Sequence, residues 1–376
     1  MSPERDRPLR IGVALRTWGH EGGIGVYTRH LVRAMLELDR TNEYCLFYSE
    51  SGHLGALAGF PNAREFHVRA PNRLWWDQVS LPWAARRQDV DVVFHTKFSV
   101  PLLSGRRTAM VVHGTEHLFY PEYTARGHRF VFNHVFPIYL KKASVILAVA
   151  ERGRQDIIEH LGVPPDKVVT TNLAYNPSFR RVEDSRELER VRAEYGLPRR
   201  YILNVGHIYP GKNVGRLIRA LARVREEHDV DLVVAGGYRF GQEKELRPAA
   251  ELGLEDHVHV TGPVSHEDLA AMYSLAELVA FPSIYESFPA IPLEAQACDC
   301  PVVTSPTGGT PESAGEAAEY VDPLDVEDIA RGICAVLDDP ALRRDLIERG
   351  RQNIRRFSWP QTARRSLEAL RSAATQ

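Results

Sequence analysis

A chain of 376 residues suggests two domains, on a prior of roughly 100 to 200 residues per domain. The 47 basic residues nearly balance the 49 acidic residues, which argues against a nucleic-acid-binding protein that relies on a strongly basic surface. No apolar run is long enough for a signal peptide or a membrane-spanning helix, so we expect a cytoplasmic protein that at most attaches to a membrane surface.

The four cysteines match no zinc spacing, since the close pair CDC is tighter than the usual CxxC knuckle. We expect reduced thiols, and no cluster of residues predicts a metal site.

Short apolar runs alternate with helical segments along the whole chain. In the first half they are RIGVAL, CLFY, DVVF, AMVVHG, VILAVA and VVTTNLA, and in the second half YILNVG, DLVVAGG, HVHVTG, LVAFPS, PVVTSP and AEYVD. Continuous apolarity indicates strands buried on both faces, as parallel sheets require. The sequence therefore predicts an α/β protein with a doubly wound sheet in each half.

The domain boundary is predicted from the segment between the halves. It has a loop-like start, a charged helical middle and a Gly-Leu-Pro stop, which places the connection near residues 176–198. We expect a first domain over residues 1–180 and a second over residues 198–358, with a last helix at 359–376 that crosses back to the first.

Two features of the first half lie where predicted parallel strands end. Gly22, Gly23 and Gly25 follow the first strand as a flexible loop, and they let a ligand approach the backbone closely. Their spacing does not match the GxGxxG dinucleotide fingerprint. His113 follows the strand AMVV at the edge where ligand-facing residues occur, although a structural or surface role is commoner for a histidine.

The stretch GHIYPGKN joins the first strand of the second half to a helix. Lys212 stands at the helix entry beside Gly206 and Gly211, an arrangement suited to a diphosphate. A solvated lysine is the plainer alternative, and the loop is not an ATPase P-loop. Asn213 is expected to cap the helix, whose apolar stripe comprises Val214, Leu217, Ile218, Leu221 and Val224.

Two glutamates flank a pair of prolines in YESFPAIPLEA. Because Pro289 and Pro292 resist helix interiors, Glu286 is predicted in a loop and Glu294 in the first turn of the next helix. Glu294 suits the paired hydroxyls of a ribose, and Glu286 suits a sugar ring or positive charge developing at a sugar carbon. The alternative is that Glu294 caps its helix and Glu286 is a solvated loop acid. The stretch TGGTPES, residues 307–313, is expected to bring Gly308 and Gly309 to the same rim as Glu286, or forms a simple turn.

Taken together, these segments resemble the retaining glycosyltransferases of the GT-B fold, family 4. The resemblance runs through nearly the whole chain, including GGIGVYTRHLVRAM, ILNVGHIYPGKN and the stretch from HVTGPVSHEDLAAMYSLAELVAFPS into YESFPAIPLEA. The two acids match the family's motif of glutamates separated by seven residues. The resemblance implies two Rossmann-like domains facing a central cleft, with a nucleoside diphosphate sugar bound mainly by the second and an acceptor mainly by the first.

The resemblance also implies roles for individual residues. Lys212 matches the residue that binds the donor diphosphate, Glu294 the one that holds the ribose, and Glu286 the one that contacts the transferred sugar. His113 matches a histidine near the reacting sugar, which makes Glu286, Lys212 and His113 the expected catalytic residues. The expected donor-binding residues are Gly22, Gly23, His207, Lys212, Glu286, Ser287, Phe288, Ala290, Ile291 and Glu294.

Two departures from the family pattern bear on donor binding. The family often has an arginine after the loop glycine, where this chain has His207. Either Lys212 therefore contributes more of the binding of the donor diphosphate, or His207 is protonated when the donor binds. The common EGFG is ESFP here, which removes an N–H group and leaves the amides of Phe288, Ala290 and Ile291 as contacts.

The implied reaction moves a hexose, of mannosyl, glucosyl or rhamnosyl type, to an acceptor hydroxyl with retention at the anomeric carbon. No first-domain carboxylate is identified as a covalent nucleophile, so we expect same-face attack without a metal or other cofactor. The acceptor is a saccharide, a lipid-linked molecule or a small molecule. The alternatives are a GT-B epimerase or hydrolase and, from other classes, a nicotinamide-dependent oxidoreductase or a non-catalytic sugar-binding protein.

Two stretches of the first half leave alternatives open. Residues 129–143, RFVFNHVFPIYLKKA, either touch the inner face of a membrane peripherally or form an ordinary helix, interrupted at Pro137, that packs into its domain. Trp75 and Trp76 are either acceptor-site residues or core residues.

Overall fold

The computed structural model describes residues 7–20, 22–123 and 126–375. The chain divides into two compact units, residues 1–173 with 358–376, and residues 174–357. Each unit is built on one fully parallel sheet flanked by helices, with seven strands in the first unit and six in the second among the described residues. The predicted α/β architecture with a doubly wound sheet in each half is confirmed.

The first unit has the strand order β3-β2-β1-β4-β5-β6-β7. Its strands are β1 (Arg10–Ala14), β2 (Glu43–Tyr48), β3 (Ala63–His67), β4 (Val92–His95), β5 (Arg107–Val112), β6 (Val145–Ala148) and β7 (Val168–Thr170). Its α-helices are α1 (Gly23–Leu38), α2 (Arg73–Trp75), α3 (Leu81–Arg87), α4 (Glu116–Phe119), α5 (Arg126–Phe130), α6 (Phe136–Lys142), α7 (Glu151–Leu161) and the last helix of the chain (Trp359–Thr375). Two π-helical turns, Trp76–Ser80 and Val131–Val135, join α2 to α3 and α5 to α6.

The second unit has the strand order β10-β9-β8-β11-β12-β13. Its strands are β8 (Tyr201–Val205), β9 (Asp231–Ala235), β10 (Val258–Gly262), β11 (Leu278–Phe281), β12 (Val302–Thr304) and β13 (Glu319–Tyr320). Its α-helices are α8 (Ser185–Tyr195), α9 (Val214–Val224), α10 (Gln242–Glu251), α11 (His266–Leu275), α12 (Ile291–Ala297), α13 (Thr310–Ala314), α14 (Val326–Asp338) and α15 (Pro340–Asn353). The last helix, Trp359–Thr375, is therefore α16.

The connecting segment lies in the second unit, which differs from the predicted boundary. Phe179, Val191 and Leu197 are all buried in a core cluster that also contains Tyr201 and Tyr273. Their apolar side chains form the inner face of α8 and its flanks, and burying that face stabilises the segment against the sheet. The chain passes between the units near residues 173–174 and again near 357–358.

The helix α16 packs against α1 in the first unit. Trp359 contacts the Tyr27 ring at 5.9 Å between centroids, and Thr362 Oγ1 donates to the Asn172 carbonyl at 2.7 Å. These contacts tie the end of the chain to the first sheet, so the first unit is assembled from two separate parts of the sequence.

Burial bears on two local expectations from the sequence. Phe136, Tyr139 and Leu140 are buried in the first core, so the middle of residues 129–143 packs into its domain as an ordinary helix would. Trp76 is 2 % exposed and its Nε1 donates to the Val68 carbonyl at 2.9 Å, which makes it a core residue, whereas Trp75 is 51 % exposed.

All four cysteines are free thiols, and three of them are buried. None of the helices in the described ranges combines the length and apolarity needed to cross a membrane.

Candidate functional site

An ion pair at the carboxyl edge of the second sheet joins two of the predicted site residues. Lys212 Nζ donates to Glu286 Oε1 at 2.7 Å, and the two side chains are 13 % and 16 % exposed. The Lys212 ammonium also lies 4.4 Å from the centroid of the Phe281 ring, a cation–π distance. The two residues meet because β8 and β11 are neighbouring parallel strands, so the loops that follow them leave the same edge.

The loop after β8 is shaped by residues that take unusual backbone conformations. Gly206 has a φ of 121°, and a Cβ at this position would lie 3.3 Å from Lys212 Cε, so glycine leaves room for the lysine side chain. Pro210–Lys212 forms a 3₁₀ turn, and Asn213 follows with a left-handed φ of 61°.

The helix after Asn213 is confirmed with its predicted apolar stripe buried, and Asn213 occupies the predicted N-cap position but lacks the expected side-chain hydrogen bond. Asn213 makes no side-chain cap to α9. Its Nδ2 instead donates to the carbonyls of Pro282 and Pro323, at 3.0 and 2.6 Å. Because a left-handed asparagine turns its side chain away from the helix start, Asn213 links three loops rather than capping one helix.

The loop that carries Glu286 is held from two sides. The Ile284 N–H donates to the Gly211 carbonyl at 3.0 Å, and the Gly309 N–H donates to the Glu286 carbonyl at 2.8 Å. A Cβ on Gly308 would lie 2.1 Å from that same carbonyl oxygen, so only glycine fits there. The TGG turn at residues 307–309 therefore does contact the Glu286 loop.

Glu294 lies in the first turn of α12, as Pro292 predicts. Tyr273 on α11 donates its hydroxyl to Glu294 Oε2 at 3.1 Å. Burial raises the pKa of Glu294 to about 7, even though the Tyr273 hydrogen bond and the charge of Lys212 oppose the rise. Glu294 is thus held in a defined orientation and stands near its titration midpoint at neutral pH.

His207 is an exposed residue whose imidazole has a lowered pKa. Burial of part of the ring lowers its pKa, and the positive charges of Arg239 and Lys212 lower it further. The imidazole is therefore neutral at neutral pH in the unliganded protein. An anion placed among these cations would raise the pKa of His207 again.

The residues between Glu286 and Glu294 differ in their burial and in the hydrogen-bonding groups that they offer to a ligand. Phe288 is buried, and its ring packs edge-on against Phe357 at 5.5 Å between centroids. Ser287 is buried as well, at 9 % exposure. Ala290 and Ile291 are partly buried at the start of α12, and within the described ranges their N–H groups donate to no acceptor. This stretch therefore offers backbone rather than side-chain groups.

The glycine segment of the first unit is partly helical, which corrects the expected loop. Gly22 is the residue before α1, and Gly23 and Gly25 belong to its first turn. A Cβ on Gly25 would lie 1.8 Å from the His20 carbonyl oxygen, so this glycine serves close backbone packing. A Cβ on Gly22 or Gly23 would meet no atom within 4 Å, so open space borders the helix start.

His113 follows β5 and is held in one tautomer. Its Nε2 lies 2.8 Å from the Thr96 carbonyl oxygen, so Nε2 carries the proton and Nδ1 is the acceptor. Its ring meets the Tyr27 ring edge-on at 4.8 Å between centroids. Burial lowers the pKa of His113 to about 4, so it is neutral at pH 7 and can accept, but not supply, a proton through Nδ1.

One group of potential metal ligands occurs in the described part of the chain. Glu227, His228 and Asp338 bring ligand atoms within 4.8 Å of one another. They lie at the far ends of α9 and α14, at the opposite edge of the sheet from Lys212.

Two family models match the chain. The model described as "Glycosyl transferases group 1" matches residues 185–353, and the model "Glycosyltransferase Family 4" matches residues 21–178. Together these matches span most of both units. The chain belongs to the group 1 glycosyltransferases.

Individual relatives of this group 1 glycosyltransferase include mannosyltransferases of Escherichia coli. The serotype-specific mannosyltransferase WbdA is 30 % identical over 235 residues, which cover 61 % of this chain and 29 % of WbdA. The chain thus aligns with less than a third of that relative. The O-antigen chain mannosyltransferase B is 27 % identical over 374 residues, covering 93 % of this chain and 96 % of the relative.

A solved structure shares the GT-B fold of this glycosyltransferase. HepE of Anabaena, crystallised with UDP and glucose, superposes with a TM-score of 0.72 at 19 % identity, over 97 % of this chain and all of that one. At this level of identity the likeness concerns the fold.

Sequence reasoning on this glycosyltransferase missed the residues that hold the site residues in place. Tyr273 orients Glu294 and Phe281 contacts Lys212, and neither was singled out, whereas Asn213 was expected as a cap and in fact links the loops. The left-handed conformation of Asn213 had a local signal, because asparagine is among the few residues that tolerate it. Tyr273 and Phe281 had none, since each looks like an ordinary core residue of α11 or β11.

Proposed function

We propose that the protein is a retaining glycosyltransferase that moves a hexose from a nucleoside diphosphate sugar to an acceptor hydroxyl. The observation that carries the proposal is the Lys212–Glu286 ion pair with Glu294 on the following helix, because the three groups match the three parts of such a donor. HepE, which shares the fold, binds UDP and glucose. A hexose of the mannosyl type is consistent with the names of these relatives.

Donor binding would exchange the partner of Lys212. In the unliganded protein its charge is balanced by Glu286 at 2.7 Å. A diphosphate offers a stronger counter-charge, so Lys212 would turn to the phosphates and release Glu286 toward the sugar. The carboxylate would then be free to stabilise positive charge at the anomeric carbon, and little reorganisation would be needed at the moment of reaction.

The bond changes balance without a covalent intermediate. The bond between the anomeric carbon and the phosphate oxygen breaks as the acceptor oxygen attacks the same face of the sugar. The acceptor proton passes to the leaving phosphate oxygen, and Lys212 stabilises the diphosphate charge. We propose that this reaction needs no metal, and transfer that persists in excess EDTA would support it.

Glu294 and His207 would tune donor affinity in opposite directions with pH. A ribose diol donates hydrogen bonds, so it binds best to the ionised form of Glu294, whose pKa is about 7. His207 would help only when protonated, and its pKa lies below the ordinary value. Donor affinity should therefore rise with pH around 7 through Glu294, and any gain from His207 should be confined to more acidic solution.

Peripheral contact with an anionic membrane is proposed for a surface of the first unit, which we call the Trp75–Trp83 face. Its large apolar side chains are 44 % to 67 % exposed; they are Leu74, Trp75, Val79 and Trp83. The exposed charges on the same helical segment are Arg73, Arg86 and Arg87, and Arg87 lies 4.6 Å from the Trp83 ring centroid. Asp77, its one acid, is buried. Aromatic and basic side chains together suit a lipid surface of negative charge.

The decisive experiment combines donor screening with variants of the ion pair. Nucleotide sugars are ranked by thermal shift, and transfer is then measured with the best donor and a panel of hydroxyl acceptors. Lys212→Ala and Glu286→Ala should each reduce transfer at least about a hundredfold. The matched controls are Lys244→Ala and Glu243→Ala on the exposed side of α10, which should leave transfer unchanged.

The same assays separate the alternatives. Release of free sugar or of an epimer without an acceptor product would identify a GT-B hydrolase or epimerase. Full transfer in both Lys212→Ala and Glu286→Ala would refute the site. Donor binding without turnover under any acceptor would favour a sugar-binding protein, and binding of NADH in place of nucleotide sugars would favour an oxidoreductase.

A further inference from the structure

A group of basic side chains lies at the carboxyl edge of the sheet in the first unit. Arg16 follows β1 and Lys97 follows β4, and these strands are neighbours, with Ala14 opposite His95. Arg73 reaches the same place from the start of α2, and its charge acts on both Arg16 and Lys97. This is the edge at which parallel α/β sheets bind ligands.

One carboxylate faces these three cations. Arg16 Nε donates to Asp77 Oδ1 at 3.1 Å, and Arg73 Nε lies 4.0 Å from Asp77 Oδ2. The Arg16 and Asp77 side chains are only 14 % and 7 % exposed, so this pair is built into the fold. We call Arg16, Arg73, Asp77 and Lys97 the Lys97 cluster.

Lys97 is partly buried and has no carboxylate within ion-pair distance in the described ranges. Its Nζ lies 5.3 Å from the centroid of the Phe98 ring. Burial, together with the charges of Arg73 and Arg16, lowers the pKa of Lys97 to about 8, and the charge of Asp77 opposes this shift. Three cations against one carboxylate leave an excess of two positive charges.

The neighbouring histidines do not compensate this charge. Burial lowers the pKa of both His20 and His113, and the positive charge of Lys97 lowers each further, whereas Glu50 opposes the shift at His20. Both are neutral at pH 7 and can contribute hydrogen bonds only. Two excess like charges held together are costly unless something of opposite sign binds them, and in the described ranges Asp77 is the one acid within ion-pair distance of these cations.

We propose that the Lys97 cluster binds a phosphate monoester or a similar dianion carried by the acceptor. This inference rests on the proposed function, because it names a chemical class for the acceptor of that reaction. A dianion would neutralise the two excess charges, and Arg73, at 53 % exposure, can turn to it without disturbing Arg16. The phosphate could belong to a soluble phosphorylated molecule or to a lipid headgroup, since both offer the same oxygens.

The test measures binding of inorganic phosphate by calorimetry in a Lys212→Ala background, so that the predicted diphosphate site does not contribute. Lys97→Gln and Arg73→Gln should each weaken binding at least about tenfold, and Lys97→Arg should retain it. The matched control is Lys142→Gln, an exposed lysine at the end of α6 and the opposite edge of the sheet, which should bind as the parent does. At pH 8, binding should also take up a proton, because an anion raises the pKa of Lys97.

Two further arms identify the source of the phosphate. Glycerol 3-phosphate represents a soluble monoester, and vesicles of phosphatidylcholine with phosphatidic acid represent a lipid. Binding of either one that Lys97→Gln abolishes supports the proposal and tells which source applies. The proposal would be overturned if the Lys212→Ala parent bound no phosphate, or if Lys97→Gln and Arg73→Gln bound phosphate as tightly as that parent.

Failure of this inference is distinguishable from failure of the proposed function. UDP binding to the second unit should be unchanged in Lys97→Gln, because Lys97 belongs to the other unit. If the wild-type protein does not bind UDP, the donor site alone is refuted. If it binds UDP but the Lys97 cluster binds no phosphate, the acceptor inference alone is refuted.

Discussion

Removing one member of the Lys212–Glu286 pair should destabilise the second unit, and removing both should cost less than removing either one. Both side chains are mostly buried, at 13 % and 16 % exposure, so either charge left alone would be poorly solvated. Breaking such a pair typically costs about 3 kcal/mol. Lys212→Met preserves the packing on Phe281, and Glu286→Gln preserves the volume of the acid. We expect each single variant to lose about 3 kcal/mol and the double variant about 2 kcal/mol, a coupling of about 4 kcal/mol.

The assay can separate the two units. The chain has five tryptophans, at positions 18, 75, 76, 83 and 359, all in the first unit. Urea unfolding followed by tryptophan fluorescence therefore reports the first unit and should be unchanged in all three variants. Circular dichroism reports both units and should reveal the earlier unfolding of the second.

The same variants test whether the pair competes with a donor. Glu286→Gln releases Lys212, so UDP should bind a few-fold more tightly while transfer falls, since the acid acts on the sugar and not on the phosphates. Losses that simply add in the double variant would show that the ion pair does not form in solution. UDP binding weakened by Glu286→Gln would contradict the exchange of partners.

Three other predictions concern separate features. Burial raises the pKa of Glu294 to about 7 from 4.5, so the folded protein binds this proton more tightly than the unfolded chain does; the resulting stabilisation is present below pH 4.5 and is lost as the pH rises through about 7. Urea midpoints measured over this window should decline in the wild type and stay flatter in Glu294→Gln, and equal slopes would contradict the assignment. Gly308→Ala places a Cβ 2.1 Å from the Glu286 carbonyl oxygen and should lower transfer at least about tenfold. The control is Gly253→Ala, because Gly253 has a φ of 67°, close to the 58° of Gly308, but its Cβ would meet no atom within 4 Å. This control should lose only about 1 kcal/mol of stability and keep its activity. On the Trp75–Trp83 face, the double variant Trp75→Ser with Trp83→Ser should no longer cosediment with anionic vesicles. The control is Leu324→Ser, at a 62 % exposed residue of the second unit, which should cosediment as the wild type does. Equal binding of the wild type to neutral and anionic vesicles would argue against a role of charge.

The strands and the helix-breaking positions could be predicted from the sequence, because a strand that is buried on both faces has a continuously apolar local composition. All twelve apolar runs that were predicted as strands are strands of the two sheets. The edge strand β3 was missed, since most of its residues are only partly buried and it has no apolar run. Pro289 and Pro292 likewise separated Glu286 from the helix of Glu294, because a missing N–H is a local property.

What only the tertiary structure decided is which distant groups meet. Lys212 and Glu286 are 74 residues apart, and they pair because β11, rather than a strand next in sequence, lies beside β8. The same crossover in the first sheet puts β4 beside β1 and so brings Lys97 to Arg16 and its partner Asp77. Local periodicity specifies that a strand is buried, but strand order follows from packing helices on both faces of the whole sheet, so the partner of each loop residue is a property of the folded chain.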